Sequence, residues 1–130
     1  MRDINAAILA VDDDILVLNS LRIQLERNFK DHILEFAQNV DEAIGVIDDL
    51  RSQDIKLIII ISDWVMPLKN GDELAKYVKN IDSSVKVVVL SGKLEEIKVQ
   101  AYIENNTIDR VVMKPWDEAY LMEVIKNEIA

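Results

Sequence analysis

The chain alternates between short, almost unbroken aliphatic runs and longer stretches in which apolar residues recur every three or four positions. The runs predict five strands: Ala7–Val11, Ile33–Ala37, Leu57–Ser62, Val85–Leu90 and Arg110–Met113. Three of them are nearly continuous in leucine or β-branched residues, the pattern of strands covered on both faces. Ile33–Ala37 sets Glu35 among Leu34, Phe36 and Ala37, which predicts a position at the sheet edge. Helical spacing links Ile15, Leu18, Leu21, Leu25 and Phe29, and again Ala43, Val46, Ile47 and Leu50. It returns in Leu74, Ala75 and Val78 after Gly71, and in Leu121, Val124, Ile125 and Ile129. The stretch Lys93–Glu104 has a less distinct apolar face, through Leu94, Ile97, Ala101 and Tyr102.

Five β-α pairs in succession predict βαβ units, a parallel sheet and right-handed crossovers that put helices on both faces. The class is therefore α/β, doubly wound. A length of 130 residues, half of them hydrophobic, fits one domain spanning residues 1–130 with a core of ordinary size. No internal repeat or linker interrupts it. Pro67, Asn70-Gly71 and Pro115 mark loops.

Charge narrows the partners. A net charge of −9 argues against nucleic acid or an anionic membrane as the direct partner and suits a cation or a basic surface. The absence of cysteine removes disulfide and thiolate chemistry. The longest apolar run, Leu57 to Ile61, falls far short of the roughly 20 residues that span a bilayer. Met1-Arg2-Asp3-Ile4-Asn5 lacks the layout of a signal peptide, so the expected location is the cytoplasm.

The chemistry sits where four of the strands end. The first runs into Asp12-Asp13-Asp14, the third through Ser62 into Asp63, the fourth into Ser91 and the fifth into Lys114. In open α/β sheets, ligands bind outside the carboxyl ends of the strands. Neighbouring first and third strands would bring Asp12, Asp13 and Asp63 within reach of one cation. Mg²⁺ takes oxygen ligands, commonly one or two carboxylates with waters and phosphate oxygens. Asp14 reads more simply as the N-cap of the helix starting near Ile15. Asp63, alone after five aliphatic residues and Ser62, is either a solubilising strand end or a carboxylate nucleophile for an acyl phosphate. Ser91, before Gly92 and Lys93-Leu94-Glu95-Glu96, is a helix cap, a donor to a phosphoryl oxygen, or both in different states. Lys114 is followed by Pro115, which excludes the α region for the lysine and permits a cis bond. Most lysines are simply solvated, but next to Pro115 and three acids this one looks like the counter-charge of a phosphate site.

Other residues carry less. His32 lies in a polar turn and is expected to be exposed. Trp64 and Trp116 read as loop packing, and Met66 and Met113 as core or loop filler. Gly45, Gly71 and Gly92 are too far apart for a glycine-rich phosphate cradle, which excludes a P-loop or dinucleotide fingerprint.

Taken together, the stretches Ile8-Leu9-Ala10-Val11-Asp12-Asp13, Ile61-Ser62-Asp63-Trp64-Val65-Met66-Pro67 with Gly71, Leu90-Ser91-Gly92 and Met113-Lys114-Pro115 resemble the receiver domains of two-component response regulators, of the chemotaxis-regulator kind. The resemblance covers essentially the whole chain. It implies a flavodoxin-like (βα)5 sheet of order 2-1-3-4-5. It implies that Asp63 accepts a phosphoryl group from a sensor histidine kinase or histidine phosphotransfer protein. It further implies Mg²⁺ as cofactor, bound directly by Asp13 and Asp63, through water by Asp12, and by the Val65 carbonyl. Ser91 and Lys114 would take up the phosphoryl oxygens. A receiver signals to an output domain or target protein, as a monomer or a phosphorylation-dependent dimer, and is no turnover enzyme beyond its own phosphorylation and dephosphorylation. One departure stands out. Many receivers carry an inward-rotating aromatic residue three positions before the lysine, where this chain has Val111. The ending Lys114-Pro115-Trp116-Asp117 resembles receivers joined to larger output domains.

Two other readings remain open at this level. One is a receiver-fold docking module that works without phosphorylation. The other is a Mg²⁺-dependent phosphohydrolase with an aspartyl intermediate, against which stands Val65 in place of the second acid of an Asp-x-Asp pair.

Overall fold

The computed structural model describes residues 5–66, 71–92 and 96–130. Met1–Ile4, the loop expected at Pro67 and Asn70, and the helix start expected at Lys93-Leu94-Glu95 lie outside the described residues. Strands and helices alternate as the spacing predicts: β1 Ala6–Val11, α1 Ile15–Asn28, β2 Ile33–Ala37, α2 Val40–Ser52, β3 Lys56–Asp63, α3 Gly71–Ile81, β4 Lys86–Ser91, α4 Glu96–Glu104, β5 Arg110–Met113 and α5 Glu118–Ile129. The strands form one parallel sheet of order β2-β1-β3-β4-β5. β2 is at an edge and half-buried, as its mixed composition predicts.

Alternation along the strands divides the core in two. Ala7, Leu9, Val11, Ile60, Val87 and Val89 face one way and pack with α2 and α3. Ile8, Ala10, Ile59, Ile61, Val88, Leu90 and Val112 face the other way, under α1 and α5. Every residue of β1 is buried. The helices turn Leu18, Leu21 and Leu25 (α1), Ala43, Ile47 and Leu50 (α2), Leu74, Ala75 and Val78 (α3) and Leu121, Val124 and Ile125 (α5) inward. Ile15, at the helical spacing of the α1 face, is instead 48 % exposed at the first position of the helix.

The starts of α1, α2 and α5 are capped by side chains. Asp14 accepts from Leu16 N at 2.9 Å, Asn39 from Glu42 N at 2.8 Å and Asp117 from Tyr120 N at 3.0 Å. The capping role expected of Asp14 is the one it performs. His32 departs from expectation. It is half-buried, with its ring edge-on to Phe29 at 5.6 Å, and its Nδ1 has no hydrogen-bond partner. The aromatic face at the end of α1 offers the imidazole apolar cover that a reading of the turn as polar overlooks.

One irregularity positions the site. The β1–β3 register shifts between Ala7 and Ile8: Ala7 pairs with Leu57, but Ile8 pairs with Ile59. The extra residue, Ile58, is a β-bulge. Beyond it Val11 stands opposite Ser62, which brings the next residues, Asp12 and Asp63, level. An unbulged ladder would set Asp12 beside Ser62 and leave Asp63 one residue farther along.

Candidate functional site

The carboxyl ends of β1, β3, β4 and β5 bring the acids and the lysine into one cleft. Lys114 Nζ lies 3.0 Å from Asp63 Oδ1 and 3.1 Å from Asp12 Oδ2, so a single ammonium bridges both carboxylates. Asp12 is fully buried and Asp63 is 9 % exposed. The other Asp12 oxygen accepts from Asp14 N at 2.9 Å. Asp13 points outward from the same turn. One carboxylate oxygen from each of Asp12, Asp13 and Asp63 falls within 4.8 Å of the others.

Three local devices hold these groups. The Asp12 backbone N–H donates to Ala37 O at 3.1 Å, which ties the end of β1 to β2. Trp64 N donates to Leu90 O at 3.1 Å, and Lys114 N to Ser91 O at 2.9 Å, so the ends of β3, β4 and β5 are stitched together beyond the regular ladders. Gly71 N donates to Trp64 O at 2.8 Å. A Cβ at Gly71 would lie 2.7 Å from the Asp63 carbonyl oxygen and 3.2 Å from Trp64 Cα, both backbone atoms, so only glycine fits against the end of β3.

The electrostatics follow from burial. Burial pushes the Asp63 carboxyl up to about 6; the Lys114 hydrogen bond opposes this, and the negative charge of Asp12 adds to it. Asp12 is likewise raised, chiefly by burial, against the pull of the Asp14 N–H and Lys114. Burial alone would lower Lys114, but its hydrogen bonds and attraction to Asp63 and Asp12 outweigh that and raise it. Two buried acids share one cation here, and the local charge remains negative.

That surplus suits a divalent metal. The donors are all oxygen, and octahedral Mg²⁺ ligands at about 2.1 Å lie roughly 3–4 Å apart across the ion. A set spanning up to 4.8 Å fits with one acid reaching the ion through water or by a small side-chain adjustment. Ser91 is buried at the last position of β4, opposite Met113, and its Oγ donates to Gly92 O at 3.0 Å. α4 begins five residues later, at Glu96. Val65, two residues beyond Asp63, is 51 % exposed, and any ligand from it would be its backbone oxygen. The Lys114–Pro115 bond is cis.

Beside Lys114 lies a cleft of about 470 Å³ lined by Leu16, Val17, Ser20, Gln24, Pro115 and Trp116. Trp116 is loop packing, as expected, and its Nε1 donates to Gln24 Oε1 at 2.9 Å. Trp64 is packed too, 5 % exposed and edge-on to Tyr102. Sequence reasoning did not single out Tyr102 or the bulge at Ile58. Nothing in the run Leu57–Ile61 distinguishes the bulged residue, whereas the one tyrosine on the indistinct α4 face was a visible signal.

Known proteins agree with this geometry. Residues 8–126 match the model of the response regulator receiver domain. The chain belongs to that family. It is 24 % identical over 120 residues to the chemotaxis protein CheY of Halobacterium salinarum, covering 92 % of this chain and 93 % of that one. It is 28 % identical over 120 residues to the sensory transduction protein LytT of Bacillus cereus, but spans 46 % of that protein's length. A CheY-like receiver domain protein from Methanospirillum hungatei superposes with a TM-score of 0.81 at 25 % identity, covering 95 % of this chain and 93 % of the other. A receiver domain protein from Clostridium thermocellum gives 0.84 at 21 % identity, covering 95 % and 94 %. As a receiver domain, the chain is a phosphoacceptor signalling module with the flavodoxin-like order 2-1-3-4-5. Among the described residues no helix is long and apolar enough to cross a membrane.

Proposed function

We propose that Asp63 is the phosphoacceptor of a Mg²⁺-dependent switch. The observation that carries this reading is the convergence of Asp12, Asp13 and Asp63 on one point, with Lys114 bridging two of them. Asp13, Asp63 and the Val65 carbonyl would hold the ion, with Asp12 acting through water. The ion, when bound, supplies neutralisation of the charge that develops on the transferring group.

In the transfer step an Asp63 oxygen attacks the phosphorus of a phosphohistidine. The new O–P bond forms as the N–P bond breaks, and the imidazole nitrogen leaves with the electron pair. Asp63 must be ionised, and a carboxyl that titrates near 6 is largely so at neutral pH. Lys114 then moves its hydrogen bond from the carboxylate to a phosphoryl oxygen, and the Ser91 hydroxyl turns from Gly92 O to another. The group brings about −1.5 to −2 charges, and the conformer that places Ser91 and Lys114 against it gains population.

The phosphodonor is a sensor histidine kinase or histidine phosphotransfer protein. Exposed apolar side chains near the acceptor suit such a partner: Leu16, at the cleft, is 75 % exposed, and Val65, two residues after Asp63, is 51 % exposed. The chain acts on itself alone, in the cytoplasm, as a monomer or phosphorylation-dependent dimer, and passes the signal to an output domain or target protein. Neither the docking-only nor the phosphohydrolase reading is favoured by a particular observation. Incubation with acetyl phosphate and Mg²⁺ tests the proposal. One hydroxylamine-labile phosphoryl group per chain, mapped to Asp63 by mass spectrometry and absent with chelator, is expected. Labelling at another residue, or labelling that persists without a divalent ion, contradicts it.

A further inference from the structure

The receiver's signal must leave Asp63 by some route, and the usual aromatic residue of the fifth strand is missing. Val111 pairs with Val89 and packs, half-buried, in the α2–α3 half of the core. Of the seven aromatic residues in the chain, Trp64 directly follows the acceptor. Its main chain is tied to Leu90 O of β4 and to Gly71 N at the start of α3, so its position depends on how the ends of these elements are arranged. That ring meets Tyr102 of α4 edge-on, with centroids 5.1 Å apart and planes at 64°.

Tyr102 is held in turn by α3. Its hydroxyl donates to Asp72 Oδ2 at 3.1 Å. Lys76 Nζ lies 5.1 Å from the tyrosine ring centroid and 3.8 Å from the same Asp72 oxygen. Asp72 and Lys76 stand one helical turn apart and frame the ring. One side chain on α4 thus touches the residue after the acceptor, an acid on α3 and a cation on α3. Aromatic edge contacts and hydroxyl–carboxylate bonds are directional, so a shift of Trp64 is met by a discrete rearrangement.

We propose that Tyr102 couples phosphorylation to the placement of α4, in the role that a rotating β5 aromatic has elsewhere. Before transfer, the Trp64 edge and Asp72 hold Tyr102 and with it α4. After transfer, the rearrangement of the β3 and β4 ends displaces Trp64, the hydroxyl leaves Asp72, and α4 loosens. This rests on Asp63 being the phosphoacceptor.

The test uses the full chain and the variants Tyr102→Phe, which keeps the ring, and Tyr102→Leu, which removes it. Each is treated with Mg²⁺ and acetyl phosphate, and two quantities are read from the same samples: the fraction labelled at Asp63 and amide hydrogen exchange over residues 96–104. The wild type is expected to exchange faster over that segment once labelled. Tyr102→Phe should label as the wild type does but exchange fast with or without the phosphoryl group, so the difference is lost. Tyr102→Leu should lose it too. A labelled wild type with unchanged exchange in α4 overturns the proposal, as does a wild-type-sized response in labelled Tyr102→Phe, which decides the matter even if Tyr102→Leu does not fold. An unlabelled wild type instead removes the phosphoacceptor reading, and the coupling with it.

Discussion

Asp63→Asn is expected to make the metal-free protein more stable at pH 7, by about 2–3 kcal/mol. Asp63 titrates near 6 in the folded chain, against about 3.9 when unfolded. The folded state therefore holds a proton, between about pH 4 and 6, that the unfolded chain has already released. Stability contributed by this group is greatest below about pH 4, falls as pH rises through 6, and is level above. Asparagine keeps the shape, removes the buried charge, and leaves Lys114 with Asp12. Chemical denaturation with chelator present, from pH 4 to 8, should show a downward slope in the wild type that is reduced in the variant. With Mg²⁺ the order narrows or reverses, because the ion binds the folded wild type and adds stability by mass action. A variant equal to or weaker than the metal-free wild type at pH 7 contradicts the account. Asp63 is thus a position where a buried charge costs stability.

Lys114→Met should do the opposite. It leaves Asp12, fully buried, and Asp63 adjacent and without the ammonium that bridges them. Breaking a buried pair by removing one partner costs about 3–5 kcal/mol, and protonation of one carboxyl recovers part of that. A loss of about 3 kcal/mol in chelator at pH 7 is expected, shrinking as pH falls toward 5. Mg²⁺ should restore more stability to this variant than to the wild type, since the ion no longer competes with an ammonium for the same oxygens. Unchanged stability without metal would show that the bridge contributes nothing.

Much of this was legible in the residues. Continuous aliphatic runs gave the buried strands, the mixed composition of Ile33–Ala37 gave the edge, and the strand-end acids and Lys114 are the groups that meet at one edge of the sheet. What the residues could not show was register. In a run of five consecutive aliphatic residues every side chain suits either face, so the bulge at Ile58 leaves no trace, yet it brings Asp12 level with Asp63. His32 was misjudged because its cover comes from Phe29, three residues back on the last turn of a helix. Tyr102 was visible only as a member of an indistinct helix face, since its partners Trp64, Asp72 and Lys76 belong to other elements.

The shared cation is the claim on which the rest depends, and calorimetric titration of the chain with Mg²⁺ addresses it most directly. One site per chain is predicted in the wild type, much weakened in Asp13→Asn and in Asp63→Asn alike, because both carboxylates would face the same ion. Binding that survives both substitutions at full strength would contradict it.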